Sequence, residues 1–334
     1  MIAMKNGETM KAIVQDVYGS AEVLGLREID RPVPAAGEVL IEVVAAAVDP
    51  GVWHLMTGRP YLVRALGFGV RAPKVRVRGR DFAGRVDAVG SDVTTFKPGD
   101  EVFGTAEGTF AGYVCAREDR IALKPANISF EQAAATPISG MTALQGIRDA
   151  GKVTAGQSVL VIGAAGGVGS FAVQIAKAFG ATVTGVCSTS KLELVRSIGA
   201  DHVIDYTRGD FLDGKRRFDV ILDTAGNRPV SRLRRALTPK GTLVIVGGEG
   251  GGGPWLAGFD RQLFRAPLLS MFVGQSLRAL TSRESSADLA ALSKLIESGK
   301  VTPLIDRVYS LSDAPDAIRY LAEGHARGKV VIKV

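Results

Sequence analysis

The glycines of one short turn are the residues with the clearest chemical meaning. An apolar segment, residues 158–162, runs into Gly163, Gly166 and Gly169, and a helical pattern covers residues 168–179. Such a turn exposes backbone N–H groups at the positive end of a helix dipole, where a pyrophosphate binds. The spacing differs by one residue from the G-x-G-x-x-G pattern. The turn therefore predicts a dinucleotide site, the alternative being a turn that serves packing alone.

The next strand indicates which nicotinamide cofactor binds. In NAD sites an acidic residue about 20 residues after the turn holds the ribose 2′-hydroxyl. Here the predicted strand Thr182–Cys187 runs into Ser188, Thr189, Ser190 and Lys191 instead. Hydroxyl donors and a cation suit a 2′-phosphate, although Ser188 could equally be a helix N-cap and Lys191 a solvated side chain. We predict NADPH.

Cysteine, histidine and charge limit the other chemistry of the chain. Among 334 residues there are two cysteines, Cys115 and Cys187, and three histidines, too few for a disulfide framework or a cysteine-built zinc site. The net charge of +7 comes from scattered residues, which favours a solvated basic surface or a small anionic ligand over nucleic acid. Because no apolar run reaches about 18 residues, we expect a cytoplasmic protein without a membrane segment.

Two kinds of secondary structure must position these residues. Residues 10–128 contain short β-type runs separated by Gly and Pro. From the predicted N-cap Ser129 onward, apolar strands alternate with helices, a pattern typical of a parallel sheet covered on both faces. Residues 268–273 are predicted as an apolar edge strand. The chain ends in a predicted strand from Lys329 that returns to the β-rich part.

Several motifs occur in a characteristic order along residues 10–334: Lys97-Pro-Gly-Asp100, the turn from Gly163 to Gly169, Ser188-Thr-Ser-Lys191, Gly199-Ala-Asp, Asp205-Tyr206 and Arg327-Gly-Lys329. They resemble the medium-chain dehydrogenase/reductase superfamily, in its zinc-free quinone oxidoreductase (zeta-crystallin-like) branch. The resemblance implies an α/β fold: a GroES-like β-rich catalytic domain formed by residues 10–128 and 277–334, and a Rossmann domain with a doubly wound parallel sheet formed by residues 129–276. It also implies a substrate cleft between the domains, and a homodimer.

The same resemblance implies cofactor contacts residue by residue. Ser188, Lys191 and Tyr206 match positions that contact the adenosine 2′-phosphate. The other matching positions near the cofactor are Thr142, Gly166, Gly167, Val168, Gly247, Ala326, Arg327 and Gly328.

The positions similar to the zinc ligands of alcohol dehydrogenases carry other residue types. Asp49 replaces a cysteine, and Gly79-Arg80-Asp81 replaces a Gly-His-Glu motif. A cationic Arg80 cannot be a ligand, and two carboxylates lack the nitrogen and sulfur donors that zinc favours. We therefore predict no metal. We expect Asp49 and Arg80 to line the cleft or to pair with each other, with an Arg80–Asp81 ion pair as the structural alternative.

Without zinc, hydrogen-bond donors must stabilise the oxyanion that develops during hydride transfer. Tyr61 is similar in placement to a donor tyrosine of zinc-free enoyl reductases, or it lines the pocket. His54 lies five residues after Asp49, like a relay histidine, but Gly51 replaces the relay hydroxyl, which favours a packed or surface role. Tyr61, Asp49 and His54 are the candidate catalytic residues. Residues 62–78 are expected to shape the pocket.

Together these features predict NADPH-dependent, metal-independent hydride transfer to a quinone or an α,β-unsaturated carbonyl. Such electron-poor acceptors need little Lewis-acid help, whereas unactivated alcohols lose the stabilisation of charge that a metal supplies. One alternative is an NADP-dependent alcohol or aldehyde dehydrogenase. Another is a non-catalytic NADPH- or RNA-binding relative, which the aromatic content of 6% disfavours.

Overall fold

The β-rich first part of the chain forms as the sequence indicates. The computed structural model describes residues 7–61, 64–212, 216–226, 228–246, 266–270 and 272–334. The elements of this first part are β1 (Thr9–Gln15), β2 (Leu24–Asp30), β3 (Glu38–Val48), α1 (Pro50–Thr57), β4 (Asp81–Val89), β5 (Glu101–Thr105), β6 (Tyr113–Arg117) and β7 (Ile121–Leu123).

Helices and strands alternate in the rest of the chain. The elements are α2 (Phe130–Ala134), α3 (Pro137–Leu144), β8 (Ser158–Ile162), α4 (Gly167–Ala178), β9 (Thr182–Cys187), α5 (Leu192–Ser197), β10 (His202–Asp205), β11 (Phe218–Asp223), α6 (Val230–Arg235), β12 (Leu237–Ile245), α7 (Ala266–Ser270), β13 (Ser276–Ala279), α8 (Ser286–Glu297), β14 (Ile305–Ser310), α9 (Ala314–Ala322) and β15 (Lys329–Lys333). None of the helices within the described ranges is long and apolar enough to cross a membrane.

Six of these strands form a parallel sheet in the order β10-β9-β8-β11-β12-β13. This is the doubly wound Rossmann order, in which the chain reverses direction at the first strand of the sheet and a ligand crevice opens there. The glycine turn follows that strand, β8. The predicted α/β fold class with a parallel sheet is confirmed.

The other large sheet has the order β14-β15-β3-β4-β5-β7, and β6 also pairs with β3. Strand β15 runs antiparallel to β3, with Val331 opposite Ala47, so the end of the chain returns to the β-rich part as predicted. Strand β13 of the parallel sheet extends to Ala279. The domain bounds 10–128 with 277–334, and 129–276, stay a prediction.

Apolar residues on both faces of β8 explain why this strand lies inside the sheet. Val159 and Val161 belong to one buried cluster, together with Phe171 of α4, whereas Leu160 and Ile162 belong to another. Fully burying one such side chain contributes about 1.5–3 kcal/mol. The packing therefore holds the N-terminus of α4 at the carboxyl end of β8.

The predicted N-cap at Ser129 is confirmed by a reciprocal capping box. The Ser129 hydroxyl accepts from the Gln132 backbone N–H at 3.2 Å, and the Gln132 side chain accepts from the Ser129 N–H at 3.2 Å. A break in the helix lies between Ala134, where α2 ends, and Pro137, where α3 begins. Proline suits a first helical turn because its missing N–H would have no acceptor there.

The predicted strand at residues 268–273 is wrong. Residues 266–270 form the short helix α7 instead, and the edge strand of the parallel sheet is β13. A short apolar run does not distinguish a strand from a helix by periodicity.

Candidate active site

The glycine turn between β8 and α4 has the geometry of an anion-binding loop. Gly163 has a positive φ of 81°. A Cβ at Gly169 would lie 2.1 Å from the Gly163 carbonyl oxygen, so the turn is closed too tightly for any side chain there. A Cβ at Gly166 would meet that same oxygen at 3.4 Å and otherwise open space. The first N–H groups of α4, which have no acceptor within the helix, are therefore accessible to a pyrophosphate.

These two glycines should respond differently to alanine. Gly169→Ala forces a backbone clash and should lower the free energy of unfolding by about 1–3 kcal/mol. Gly166→Ala adds a methyl group to open space, so it should keep the melting temperature and weaken binding of NADPH. Calorimetry and a fluorescence titration with NADPH measure the two effects. Equal losses of stability would contradict the open face at Gly166.

The turn at residues 326–328 packs against the glycine turn. The Gly328 N–H donates to the Ala165 carbonyl at 2.8 Å, and Gly328 forms a β-bridge with Gly166. The Lys191 ammonium donates to the Ala326 carbonyl at 2.9 Å. The structure thus brings together predicted cofactor residues that lie 162 positions apart in the chain (328 − 166).

Lys191 lies among other charged and polar residues at the end of β9. Burial lowers its pKa, Asp306 opposes this, and nearby Arg327 lowers it further. Ser188 directly follows β9, and the Tyr206 N–H donates to the Cys187 carbonyl at 3.2 Å. Ser188, Lys191, Tyr206 and Arg327 therefore share one region. Two cations with hydroxyl groups are the donor set that a phosphate prefers.

The other predicted cofactor residues lie close to this region, with one exception. Gly167 and Val168 form the first turn of α4. Thr142 is buried on α3, whose Ser139 hydroxyl lies 3.1 Å from a Cβ position at Gly167. Gly247 lies outside the described residues. The residues present therefore fit a dinucleotide phosphate, although their individual roles stay predictions.

A buried ion pair of the β-rich sheet lies next to the glycine turn. The Lys329 ammonium lies 3.0 Å from Asp81 Oδ2, with side-chain exposures of 3% and 0%. Asp81 Oδ1 accepts from the Ile138 N–H at 2.9 Å, and Lys329 Cδ lies 3.0 Å from a Cβ position at Gly167. The pKa of Asp81 is raised to about 6, and burial is the largest cause. Lys329 lowers this pKa, and Asp49 raises it. Sequence reasoning missed this pair, although both residues belong to motifs that it had identified.

Arg80 pairs with neither predicted partner. Its guanidinium binds Glu284, whose other oxygen is 2.8 Å from Arg120. Adjacent residues of an extended chain point to opposite sides, so Arg80 and Asp81 diverge. Burial lowers the pKa of Arg80, but Asp49 and Glu284 raise it more, and the net shift is upward. No sequence feature near Glu284 indicated this role.

Asp49 is the N-cap of α1, and its Oδ1 accepts from the Gly51 N–H at 2.7 Å. Such a cap contributes about 1 kcal/mol. Its Oδ2 is buried without a hydrogen-bond partner in the described structure. Across the described ranges, no cluster of three or more His, Cys, Asp or Glu side chains could hold a metal ion.

His54 and Tyr61 lie on α1 and just after it. His54 Nδ1 is 2.7 Å from the Arg59 carbonyl, which favours a proton on Nδ1. The Tyr61 ring is half-buried, and the Arg64 guanidinium lies 4.9 Å from its centroid. The structure thus places all three candidate catalytic residues on one short segment.

Comparisons with known proteins identify the family. The model of the alcohol dehydrogenase GroES-like domain matches residues 35–126, and that of the zinc-binding dehydrogenase matches residues 198–332. The chain is 38% identical to a 2-methylene-furan-3-one reductase of Solanum lycopersicum, over 97% of this chain and 79% of that protein. The chain belongs to the medium-chain dehydrogenase/reductase superfamily. Within this superfamily it belongs to the zinc-free quinone oxidoreductase branch, as the motifs predict.

Two further relatives match nearly the whole chain. An NADPH-dependent alkenal/one oxidoreductase, chloroplastic, of Arabidopsis thaliana is 37% identical over 97% of this chain and 79% of that protein. The structure of a quinone oxidoreductase from Coxiella burnetii superposes with a TM-score of 0.84 at 32% identity, covering 98% of this chain and 100% of that one. The GroES-like and Rossmann architecture of the chain is therefore confirmed.

Proposed function

We propose that this protein uses NADPH to reduce quinones or α,β-unsaturated carbonyls by direct hydride transfer. The observation that carries the proposal is the contact of the glycine turn with the turn at residues 326–328, where Lys191 donates to Ala326. This contact builds a dinucleotide site across the two sheets. The names of the relatives in Solanum and Arabidopsis support the conjugated acceptor.

NADPH rather than NADH is the cofactor that the end of β9 favours. A 2′-phosphate gains charge-assisted hydrogen bonds from Lys191 and Arg327, whereas a 2′-hydroxyl offers these cations no negative charge. Ser188 and Tyr206 complete the proposed phosphate site. When bound, the nicotinamide supplies the hydride.

The chain's own residues orient the acceptor and donate to its oxygen. We assign this donation to the Tyr61 hydroxyl. Asp49 positions α1 through its cap, and His54 is held by the Arg59 carbonyl. A conjugated acceptor suits a site in which Arg80 and Asp49 replace zinc ligands, because its double bond is already activated.

Association into homodimers and a cytoplasmic location are further proposals. Strand β13 pairs with β12 and is the last strand on its side of the described parallel sheet. An edge strand has unpaired N–H and C=O groups that a second copy can bind. Sedimentation of the purified protein measures the oligomeric state.

A panel of quinones, enones and saturated aldehydes, assayed by loss of NADPH absorbance, tests the proposed function. We expect quinones and enones to react, and saturated aldehydes to react about 100-fold more slowly, because they lack conjugation and a Lewis acid. The enone product should keep its carbonyl and lose its C=C bond. If no quinone or enone oxidises NADPH although NADPH binds, the reductase proposal fails. Steeply salt-dependent RNA binding would then indicate the non-catalytic alternative.

A further inference from the structure

Arg78 is a buried arginine that has no ion-pair partner among the described residues. The residue is 4% exposed, and its Nε has no hydrogen-bond acceptor. Within the described part of the chain, no carboxylate forms an ion pair with Arg78 and no acceptor binds its Nε. Buried charges are costly unless they are paired, so protein arginines in this position normally have an anionic partner. Arg78 has no such partner in the ranges that the structure describes.

The backbone around Arg78 is fixed on both sides. Its N–H donates to the Ile13 carbonyl at 3.1 Å, and its carbonyl accepts from the Phe110 N–H at 2.8 Å. A Cβ at the next residue, Gly79, would lie 2.4 Å from the Thr109 hydroxyl, which is also buried without a partner. A buried polar group without a partner requires an explanation, and a bound ligand is one.

Tyr18 and Arg64 connect Arg78 with Tyr61. Tyr18 is close enough to Arg78 to affect its pKa. The Arg64 guanidinium lies 4.3 Å from the Tyr18 ring centroid and 4.9 Å from that of Tyr61. Arg78 also ends the segment, residues 62–78, that is expected to shape the pocket, of which residues 62 and 63 lie outside the described ranges.

Arg80 connects the segment of Arg78 with the helix that Asp49 caps. Two residues further on, Arg80 Nη1 lies 3.7 Å from a Cβ position at Gly51, in the first turn of α1. Asp49 caps that turn. Arg78 therefore lies two residues from a side chain, Arg80, that adjoins this turn.

Charge at this position favours an anionic ligand. Burial lowers the pKa of Arg78 and Glu107 and Tyr18 raise it, yet a guanidinium stays charged at any pH at which proteins fold. Glu107 is exposed and forms an ion pair with neither Arg78 nor Arg80 in the described structure. Of Arg78 and Arg80, only Arg78 is available to a ligand, because Glu284 binds Arg80.

We propose that Arg78 binds a carboxylate carried by the acceptor, so that the preferred substrates are conjugated keto acids. The inference rests on the proposed function and narrows its substrate class. The two N–H groups of a guanidinium match the two oxygens of a carboxylate.

A matched pair of acceptors tests this, namely 4-oxopent-2-enoate and its methyl ester. The ester is the more electron-poor of the two, so a preference for the acid reports recognition of the carboxylate and not reactivity. We expect kcat/KM of the wild type to be at least about tenfold higher for the acid, as for a hydrogen bond to a charged group. In Arg78→Met the ratio of acid to ester should fall to about one or below.

Arg76→Met is the matched control. Arg76 lies two residues away, its side chain is 60% exposed and it pairs with Asp16. This variant removes the same charge from the same segment, so it should keep the ratio of acid to ester. A similar fall in both variants would show a general field effect and overturn the proposal. If Arg78→Met fails to fold, the ratio measured for the wild type still decides.

The outcomes separate this inference from the proposed function. If the wild type reduces both compounds and does not prefer the acid, the Arg78 proposal falls and the reductase proposal stands. If neither compound is reduced, binding of the saturated 4-oxopentanoate decides. A saturable rise in the melting temperature of the wild type and of Arg76→Met with 4-oxopentanoate supports the site, provided that the rise is absent in Arg78→Met and absent with the methyl ester of 4-oxopentanoate. No rise in the wild type overturns the proposal.

Discussion

Lys191→Ala should lower kcat/KM with NADPH by about 10- to 100-fold and change kcat/KM with NADH by less than about threefold. A hydrogen bond to a charged group contributes about 1.5–3 kcal/mol, which corresponds to this range. The Lys191 ammonium has three donors, and the Ala326 carbonyl accepts from it at 2.9 Å. A 2′-phosphate would bind the ammonium more strongly than this neutral acceptor, and a 2′-hydroxyl would not. Steady-state kinetics with both cofactors measure the difference.

Lys177→Ala is the control for this variant. Lys177 lies on α4, and its ammonium pairs with Asp201 at 2.7 Å. The variant removes the same charge from a helix that packs on the parallel sheet, and it should leave kcat/KM with NADPH and with NADH unchanged. Equal losses with NADPH and NADH in Lys191→Ala would give Lys191 a structural role, as the residue that holds the turn at residues 326–328. The assignment of the 2′-phosphate would then be wrong.

Local pattern was enough to predict the elements around the cofactor. Strands Thr182–Cys187, His202–Asp205 and Phe218–Asp223 occur with the bounds that their apolar runs indicate. Each run is a short apolar segment next to turn residues, so neighbouring residues carry the information. The glycine turn is local in the same sense, because Gly169 must be glycine for a contact with Gly163, six residues away.

Pairing across the fold was not predictable. Arg80 binds Glu284 and Asp81 binds Lys329, over separations of 204 and 248 residues. A single sequence does not encode which distant strand ends meet, so adjacent charges were paired with each other. The buried Nε of Arg78 could not be predicted for the same reason, since the backbone of Arg78 is held by Ile13 and Phe110, which are distant in sequence.

Lys329→Met should lower the free energy of unfolding by about 3–5 kcal/mol near neutral pH, because it leaves the Asp81 carboxylate buried without its cation. Both side chains are almost completely buried, so water cannot replace the lost partner. Thermal unfolding measures the loss. Lys177→Met, which breaks an exposed pair with Asp201, should cost less than about 1 kcal/mol.

The destabilisation should grow with pH, which distinguishes a buried charge from lost packing. The pKa of Asp81 is raised to about 6 in the folded protein, above its unfolded value of 3.8. Stability from protonated Asp81 is therefore fully present below the unfolded pKa and lost as pH rises through the folded one. Because Lys329 lowers this pKa, its removal raises the folded pKa further, and the deficit of Lys329→Met should be smaller near about pH 5 than near about pH 8.

The double variant Asp81→Leu/Lys329→Met tests the origin of this pH dependence. This variant removes both charges and fills their space with apolar side chains. The difference between its melting temperature and that of the wild type should therefore change less with pH than the difference for Lys329→Met does. Replacing a buried pair by apolar residues is often neutral or stabilising, whereas removing one partner is costly. A deficit of Lys329→Met that is equal at both pH values would contradict the raised pKa of Asp81. The contact of Lys329 with Gly167 would then explain the loss as packing against the glycine turn.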